Sequence, residues 1–329
     1  MRLGYTLMTE QSGPRELVEH AVAAERLGFD LLVSSDHYFP WLDAQGHAPN
    51  AWVTLGAVAH ATERVELMTY VTCPILRYHP TVVAQQAATL GVLSGGRFLL
   101  NLGAGEALNE HVAGQRWPAV GERHDMLEEA VRIIRSLLDG DRLTFDGQHF
   151  RVDSAYLWDR PDEPVGIGVA VSGGQSVSRF APLADHLVTT EPSAQVLEQW
   201  DDVRRTEGIT APSRRIGQLP ICWDPDRDVA IARAHEQFRW FGLGWKVNAD
   251  LPTTEAFDAA SASVRPEDVA EGMPCGPDLD AVVEAAAAYR EAGFTDLAIV
   301  QVGEEGQARF LVEAAGPLLE RLREAAPAS

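Results

Sequence analysis

Apolar residues fall along this chain in short runs separated by longer amphipathic stretches. The runs predict buried strands at residues 2–7, 29–34, 65–71, 97–102, 165–171, 186–190, 215–222 and 295–301. Helical periods lie between most of them. Pro14 to Leu27 places Leu17, Val18, Ala21, Val22, Ala24 and Leu27 near the 3.6-residue repeat. Pro80 to Leu93 opens with proline at a first helical position. Glu122 to Leu138 aligns Met126, Leu127, Ala130, Ile133, Ile134 and Leu137 on one stripe. A last helix is predicted from about Glu304 to Arg323.

Strands alternating with helices over 329 residues predict a (β/α)8 TIM barrel with insertions. A doubly wound open sheet is the alternative, but the glycine fingerprint after its first strand is missing. Two segments depart from the repeat. Residues 142–152 carry a turn-forming Asp146-Gly147 between β-like flanks and read as a hairpin. Residues 224–275 form a mostly helical insertion before the last strand, expected near the mouth of the barrel. There is no linker, repeat or low-complexity segment, only a short Ala/Pro/Ser tail. One domain over 1–329 is therefore expected.

Composition narrows the class. With 46% apolar residues the chain can bury a large single core. No apolar run reaches the length of a membrane span. Met1 runs straight into a strand pattern rather than a secretory signal. Cys73, Cys222 and Cys275 are isolated and lack metal-ligand spacing, which fits reduced thiols and a cytoplasmic protein. A net charge of −21 argues against nucleic acid. Acidity of this kind usually serves solubility, and a cationic substrate is the weaker reading. Of the 27 basic residues only Lys246 is lysine.

Two polar loops follow apolar runs and so lie where barrel enzymes do chemistry. Ser34-Ser35-Asp36-His37-Tyr38-Phe39-Pro40-Trp41 presents an acid, an imidazole and an indole. Gly103-Ala104-Gly105-Glu106-Ala107-Leu108-Asn109-Glu110 presents a glycine-flanked carboxylate. His37 is the first candidate for general acid/base work, set against a structural histidine bonding backbone. Asp36 either orients His37 or caps the turn. Trp41 is either a wall against a flat ring or core. Glu106 is either a second acid/base group or the cap of a helix beginning near Leu108. Ser172-Gly173-Gly174 offers backbone N–H groups for a phosphate, or is merely a tight turn, and Thr190 adds a hydroxyl. There is no nucleophile elbow, Walker loop or zinc motif, and no metal is expected.

On these stretches the chain resembles the deazaflavin-dependent branch of the bacterial luciferase-like superfamily, within the family named after F420-dependent glucose-6-phosphate dehydrogenase. The resemblance rests on Ser35-Asp36-His37 through Pro49, on Gly103 to Glu110 and on Ser172-Gly173-Gly174. Phe145-Asp146-Gly147 with Phe150, and Cys275-Gly276-Pro277-Asp278, also match. It implies a (β/α)8 barrel holding coenzyme F420 at the C-terminal ends of the strands. Matched position by position, it implies His37 as base on a substrate hydroxyl, Trp41 as the residue steadying the developing intermediate, and Glu106 as acid/base beside the deazaflavin. Asp36, Ala104, Gly105, Asn109, Ser172, Gly173, Gly174 and Thr190 fall on cofactor positions. Tyr70-Val71 falls where the family often has a non-proline cis peptide, although the dehydrogenases have a small serine at Tyr70.

One departure bears on substrate. The sugar-phosphate dehydrogenases grip phosphate with two lysines and an arginine. Here Ser193 replaces the first lysine, Glu271-Gly272 offers no base at the arginine position, and Lys246 is the remaining candidate. The expected reaction is F420-dependent hydride transfer at a carbinol or ketone carbon of a small, non-phosphorylated sugar, amino sugar or alcohol. A redox-neutral epimerase, an FMN-dependent monooxygenase and a non-catalytic cofactor-binding barrel are the alternatives. A homodimer is the expected assembly, with no nucleic-acid or membrane partner.

Overall fold

The computed structural model describes residues 1–325. The Ala/Pro/Ser tail at 326–329 lies outside the described residues. The strands are β1 (Arg2–Leu7), β2 (Leu31–Ser34), β3 (Glu66–Thr69), β4 (Phe98–Leu102), β5 (Leu143–Asp146), β6 (Arg151–Ala155), β7 (Ile167–Ala170), β8 (His186–Val188), β9 (Arg215–Ile221) and β10 (Asp296–Gln301). A closed barrel runs β1-β2-β3-β4-β7-β8-β9-β10 and back to β1. Every barrel pairing is parallel. All the C-terminal strand ends therefore open on one face.

The strands are nearly continuous in apolar residues because both of their faces are buried. Leu31, Val33, Met68, Leu99, Val188, Ile216 and Ala298 form one buried cluster, as alternate residues filling a barrel do. Leu32, Leu67, Leu100 and Ile299 belong to a larger cluster with the helices, including Leu17, Val83, Ile134 and Phe310. A third cluster, with Met8, Trp41, Phe238, Trp240 and Phe257, joins the β2 loop to the 224–275 insertion at the mouth.

At the opposite end the barrel is tied by charge. Arg214 pairs with both Glu66 and Asp296, and Arg2 reaches Glu66 at 2.8 Å. No described helix is long and apolar enough to cross a membrane.

β1 and the helices Pro14–Leu27 and Pro80–Leu93 occupy the residues expected of them. The other barrel strands lie within the expected runs but are shorter. The 142–152 segment is a hairpin, but β6 runs on to Ala155, and the turn is wider than Asp-Gly requires. The carboxylate of Glu129, from helix Val120–Asp139, accepts from the N–H groups of Gln148, His149 and Phe150 at 2.7–3.1 Å. That brace holds residues 147–150 open. The single last helix expected from the periodicity is two, Glu304–Glu313 and Ala315–Glu324. Pro317 is the reason: its ring has no N–H for the Glu313 carbonyl and would clash with it. The chain therefore breaks helical geometry at Ala314 (φ −122°, ψ −28°). The insertion is helical as expected, in pieces at Arg227–Phe238, Trp245–Asn248, Thr254–Ser261 and Pro266–Gly272.

Candidate active site

β2 delivers Ser35, Asp36 and His37 to the mouth, and the end of β1 delivers Glu10 beside them. The Glu10 carboxylate is buried at 2% exposure. Ser35 Oγ donates to its Oε2 at 2.5 Å. Its other oxygen stands 2.8 Å from His37 Nδ1. With the ring protonated this contact is an ion pair. On the far side, His37 Nε2 stands 3.5 Å from Glu106 Oε1. The imidazole is thus held between two carboxylates.

Burial by itself would lower the His37 pKa, but the charges of Glu10 and Glu106 overcome it and raise it above the ordinary value. Burial would likewise raise Glu10, and the facing His37 charge holds it below its ordinary value. Each shift favours the ionised pair.

Glu106 sits at the N-cap of helix Ala107–Glu110 but makes no side-chain cap. Its carboxylate accepts from Asn109 Nδ2 at 2.6 Å. Asn109 Oδ1 in turn accepts from the N–H groups of Tyr38 and Phe39, at 2.6 and 3.0 Å. One amide therefore locks the His37 loop to the Glu106 loop. Gly105 is required here: its φ is +71°, and a Cβ would stand 2.4 Å from Cys73 Sγ.

Asp36 points away from His37. Its carboxylate accepts from Thr72 Oγ1 at 2.7 Å, Trp52 Nε1 at 3.2 Å, Arg77 at 3.1 Å and Tyr78 at 3.3 Å. It anchors its loop and has little capacity left for a ligand, and the neighbour of the imidazole is Glu10 instead.

Trp41 is buried, stacked on Trp240 at 4.1 Å and edge-on to Phe257 at 5.1 Å and to His37 at 5.0 Å. Trp240 and Phe257 come from the insertion. Ala249 O in the same insertion accepts from Ala107 N at 2.9 Å. The insertion thus seats directly on the loops that carry His37 and Glu106.

The remaining candidates line the other side of the mouth. The Tyr70–Val71 peptide is cis. Tyr70 Oη donates to Thr189 O at 3.2 Å, and Tyr289 Oη to Thr190 O at 2.6 Å. Ser172, Gly174 and Thr190 are exposed. The N–H groups of Ser172 and Gly173 face Ser176 Oγ at 3.2 and 3.3 Å. A Cβ on Gly103 would stand 2.5 Å from Val71, whereas one on Gly173 would meet nothing within 4 Å. The wall formed by Val71 and Gly103 is therefore built close, and the Gly173 loop faces open space.

At the positions matched to the phosphate grip, one side chain is engaged in a cap and the others are exposed. Ser193 caps helix Ala194–Thr206, its hydroxyl accepting from Val196 N at 3.4 Å. Glu271, Gly272 and Lys246 are exposed. Arg116, another possible cation, is paired with Glu122 on the surface. Among the described residues no group of three histidine, cysteine or carboxylate side chains is placed to hold a metal.

The site residues not singled out from the sequence are Glu10, Glu110, Trp240 and Phe257. Glu10, in Thr9-Glu10-Gln11 just past β1, carried the one local cue, a carboxylate at a strand end.

A parallel barrel with an imidazole, two carboxylates and an indole gathered at its C-terminal mouth is equipped for acid/base chemistry on a bound ligand. The chain belongs to the luciferase-like family, whose model, described as luciferase-like monooxygenase, matches residues 1–296.

Within it the chain is similar to curated relatives named F420-dependent glucose-6-phosphate dehydrogenase. The one from Microbacterium testaceum is 36% identical, with 98% of each chain covered. That from Nakamurella multipartita is 37% identical, over 98% of this chain and 97% of its own. Among solved structures, an F420-dependent secondary alcohol dehydrogenase in complex with an F420-acetone adduct superposes with a TM-score of 0.88 at 28% identity, covering 98% of this chain and 99% of its own.

Proposed function

We propose that this chain is an F420-dependent oxidoreductase acting at a carbinol or ketone carbon of a small substrate without a phosphate group. The observation that carries this reading is the Glu10–His37–Glu106 chain of acid/base groups packed against Trp41 at the barrel mouth. When bound, the deazaflavin supplies a carbon that accepts or gives up hydride. The close wall of Val71 and Gly103, with the adjoining Ala104, and the open Gly173 loop suit a flat ring with an extended anionic tail. Tyr70, Gly105, Asn109, Ser172, Gly174 and Thr190 complete the set that would hold it.

The rest is work for the protein's own groups. His37 takes the hydroxyl proton from a carbinol, or returns it to a ketone oxygen. The Glu10 carboxylate stabilises the imidazolium that forms. Glu106 handles a proton on the opposite side of the ring. Trp41, fixed by Trp240, walls the reacting carbon and excludes water. Positioning of the two carbons supplies much of the rate. A cytoplasmic homodimer is the setting we propose.

The substrate class follows from charge. Ser193 is a helix cap, and Arg77 is already paired with Asp36 and Glu110. Of the three positions matched to the phosphate grip, only Lys246 is basic. Each charged hydrogen bond to phosphate is worth about 1.5–3 kcal/mol, so losing two weakens binding at least roughly a hundredfold. Steady-state kinetics with F420 should show poor use of glucose 6-phosphate beside secondary alcohols, ketones, polyols and amino sugars. A low-micromolar KM with fast turnover on the sugar phosphate would overturn the substrate class. Tight binding of FMN but not F420 would overturn the cofactor.

A further inference from the structure

His37 and Glu106 sit on two different loops, and their 3.5 Å contact survives only if those loops keep their spacing. Asn109 supplies one tie. A second tie comes from a third element, the segment after β3. Arg77 is almost wholly buried, with its side chain 10% exposed.

Its guanidinium donates to Asp36 O at 2.6 Å and to Asp36 Oδ1 at 3.1 Å, on the residue directly before His37. Its backbone N–H donates to Glu110 Oε2 at 2.8 Å, and its Nε lies 3.4 Å from Glu110 Oε1. Glu110 closes the single helical turn that Glu106 opens, with its N–H on the Glu106 carbonyl at 3.3 Å. Both carboxylates are out of solvent, Asp36 at 2% and Glu110 at 0% exposure.

We propose that Arg77 is a positioning residue for the reaction. By gripping Asp36 on one loop and Glu110 on the other, it sets the distance between His37 and Glu106. Glu110 is the charge partner that keeps the guanidinium between the two loops rather than drawn wholly onto Asp36. The proposal rests on the oxidoreductase reading for its catalytic consequence, but its geometric part does not depend on it.

The arrangement makes physical sense of two buried carboxylates around one cation. A bidentate guanidinium can bridge two acceptors in a fixed geometry, which an ammonium cannot. Removing it leaves buried carboxylates without a counter-charge, and these must then protonate or draw apart. A displacement of about 1 Å at a catalytic pair costs on the order of a hundredfold in rate.

The grip is also pH-sensitive. Burial pushes the Glu110 carboxyl up to about 7, against the Arg77 N–H and charge, with Glu106 and Asp36 pushing it the same way. Cys73 is the other titratable group beside it, and Tyr78 contacts Arg77 and Asp36. Below that point Glu110 is neutral and Arg77 is held chiefly by Asp36. Above it the guanidinium is shared by both.

The test compares Arg77→Met, Arg77→Lys and Glu110→Gln with the parent protein by four readouts. These are kcat and KM with F420, F420 binding by fluorescence, thermal melting, and the NMR titration of the His37 ring without cofactor. Arg77→Met should lower kcat by about 30–100-fold with KM and F420 affinity within a few-fold. It should also raise the His37 midpoint, because the guanidinium opposes protonation of that ring. Arg77→Lys, which keeps the charge but not the fork, should fold and lose about tenfold in kcat. Glu110→Gln keeps an acceptor for the Arg77 N–H and should remove the step near pH 7 from the kcat profile.

Lower melting with unchanged kcat and an unmoved His37 titration in all three variants would reduce Arg77 to a purely structural role and sink the proposal. If the parent protein turned over nothing with F420, the oxidoreductase reading would fail. The His37 titration would still decide whether Arg77 sets the ring's environment.

Discussion

At the scale of single residues, the site turns on His37 and on what faces each of its nitrogens. His37→Ala should reduce turnover by roughly 10²–10⁴-fold, the usual share of a placed acid/base group. F420 affinity should stay within a few-fold. Unchanged turnover would transfer the proton-handling role to Glu106.

Glu10 tests the same ring from the other side. Its charge is a leading reason the imidazolium persists above its ordinary pH range. The neutral imidazole is the base for carbinol oxidation, so oxidation should rise as pH passes the raised His37 pKa, and ketone reduction should fall. Glu10→Gln removes the stabilising charge and should move both limbs to lower pH. A profile that stayed in place would show that Glu10 does not set this ionisation.

His37, Trp41 and Glu106 were legible in the sequence because each follows a strand-like run in a short polar loop. Glu10 was not. What places it at the site is burial against Ser35 and His37, contacts across 25 and 27 positions of chain that its cue at a strand end does not specify.

Among the elements, the 224–275 insertion has the most consequence for chemistry. Its helical character could be read from composition, and so could its place between β9 and β10. Its place near the mouth was expected too, but the residues that dock it there could not be read, because that depends on which aromatic faces find each other. Trp240 meets Trp41 face to face, and this seats the insertion over the mouth.

Trp240→Ala removes that platform and leaves a cavity, costing up to about 3–5 kcal/mol of stability. It should also lower kcat/KM by about tenfold or more as Trp41 loosens against His37. Trp240→Phe keeps a stacking ring and should restore most of both. Equal loss of activity in the two variants would mean that the stacking geometry is irrelevant. The split of the last helix at Ala314 teaches the converse lesson: the cue, Pro317, was present, and the apolar period running across it concealed the break.

For the molecule as a whole, the barrel separates stability from chemistry by placing them at opposite ends. Arg214, joined to Glu66 and Asp296, ties β3, β9 and β10 at the end remote from His37. Arg214→Met should cost about 1–3 kcal/mol in denaturant unfolding, less than a fully buried pair would because Arg214 retains some solvent contact. It should leave kcat intact at temperatures where the protein is folded. A large drop in kcat without loss of stability would contradict the separation.

The sequence alone pointed to the barrel: apolar runs alternating with helical periods call for a parallel sheet under helices, and the missing glycine fingerprint set the open, doubly wound sheet aside. It also determined which loops stand at the strand ends, and hence the identity of the imidazole, the indole and one carboxylate. Tertiary structure decided the rest. It turned Asp36 away from His37 toward Arg77, put Glu10 in its place, and made Ser193 a helix cap. It also brought an insertion two hundred residues downstream onto the β2 loop. Those outcomes depend on side chains from distant elements competing for the same partners in a dry space, and the winner is settled only when the barrel closes.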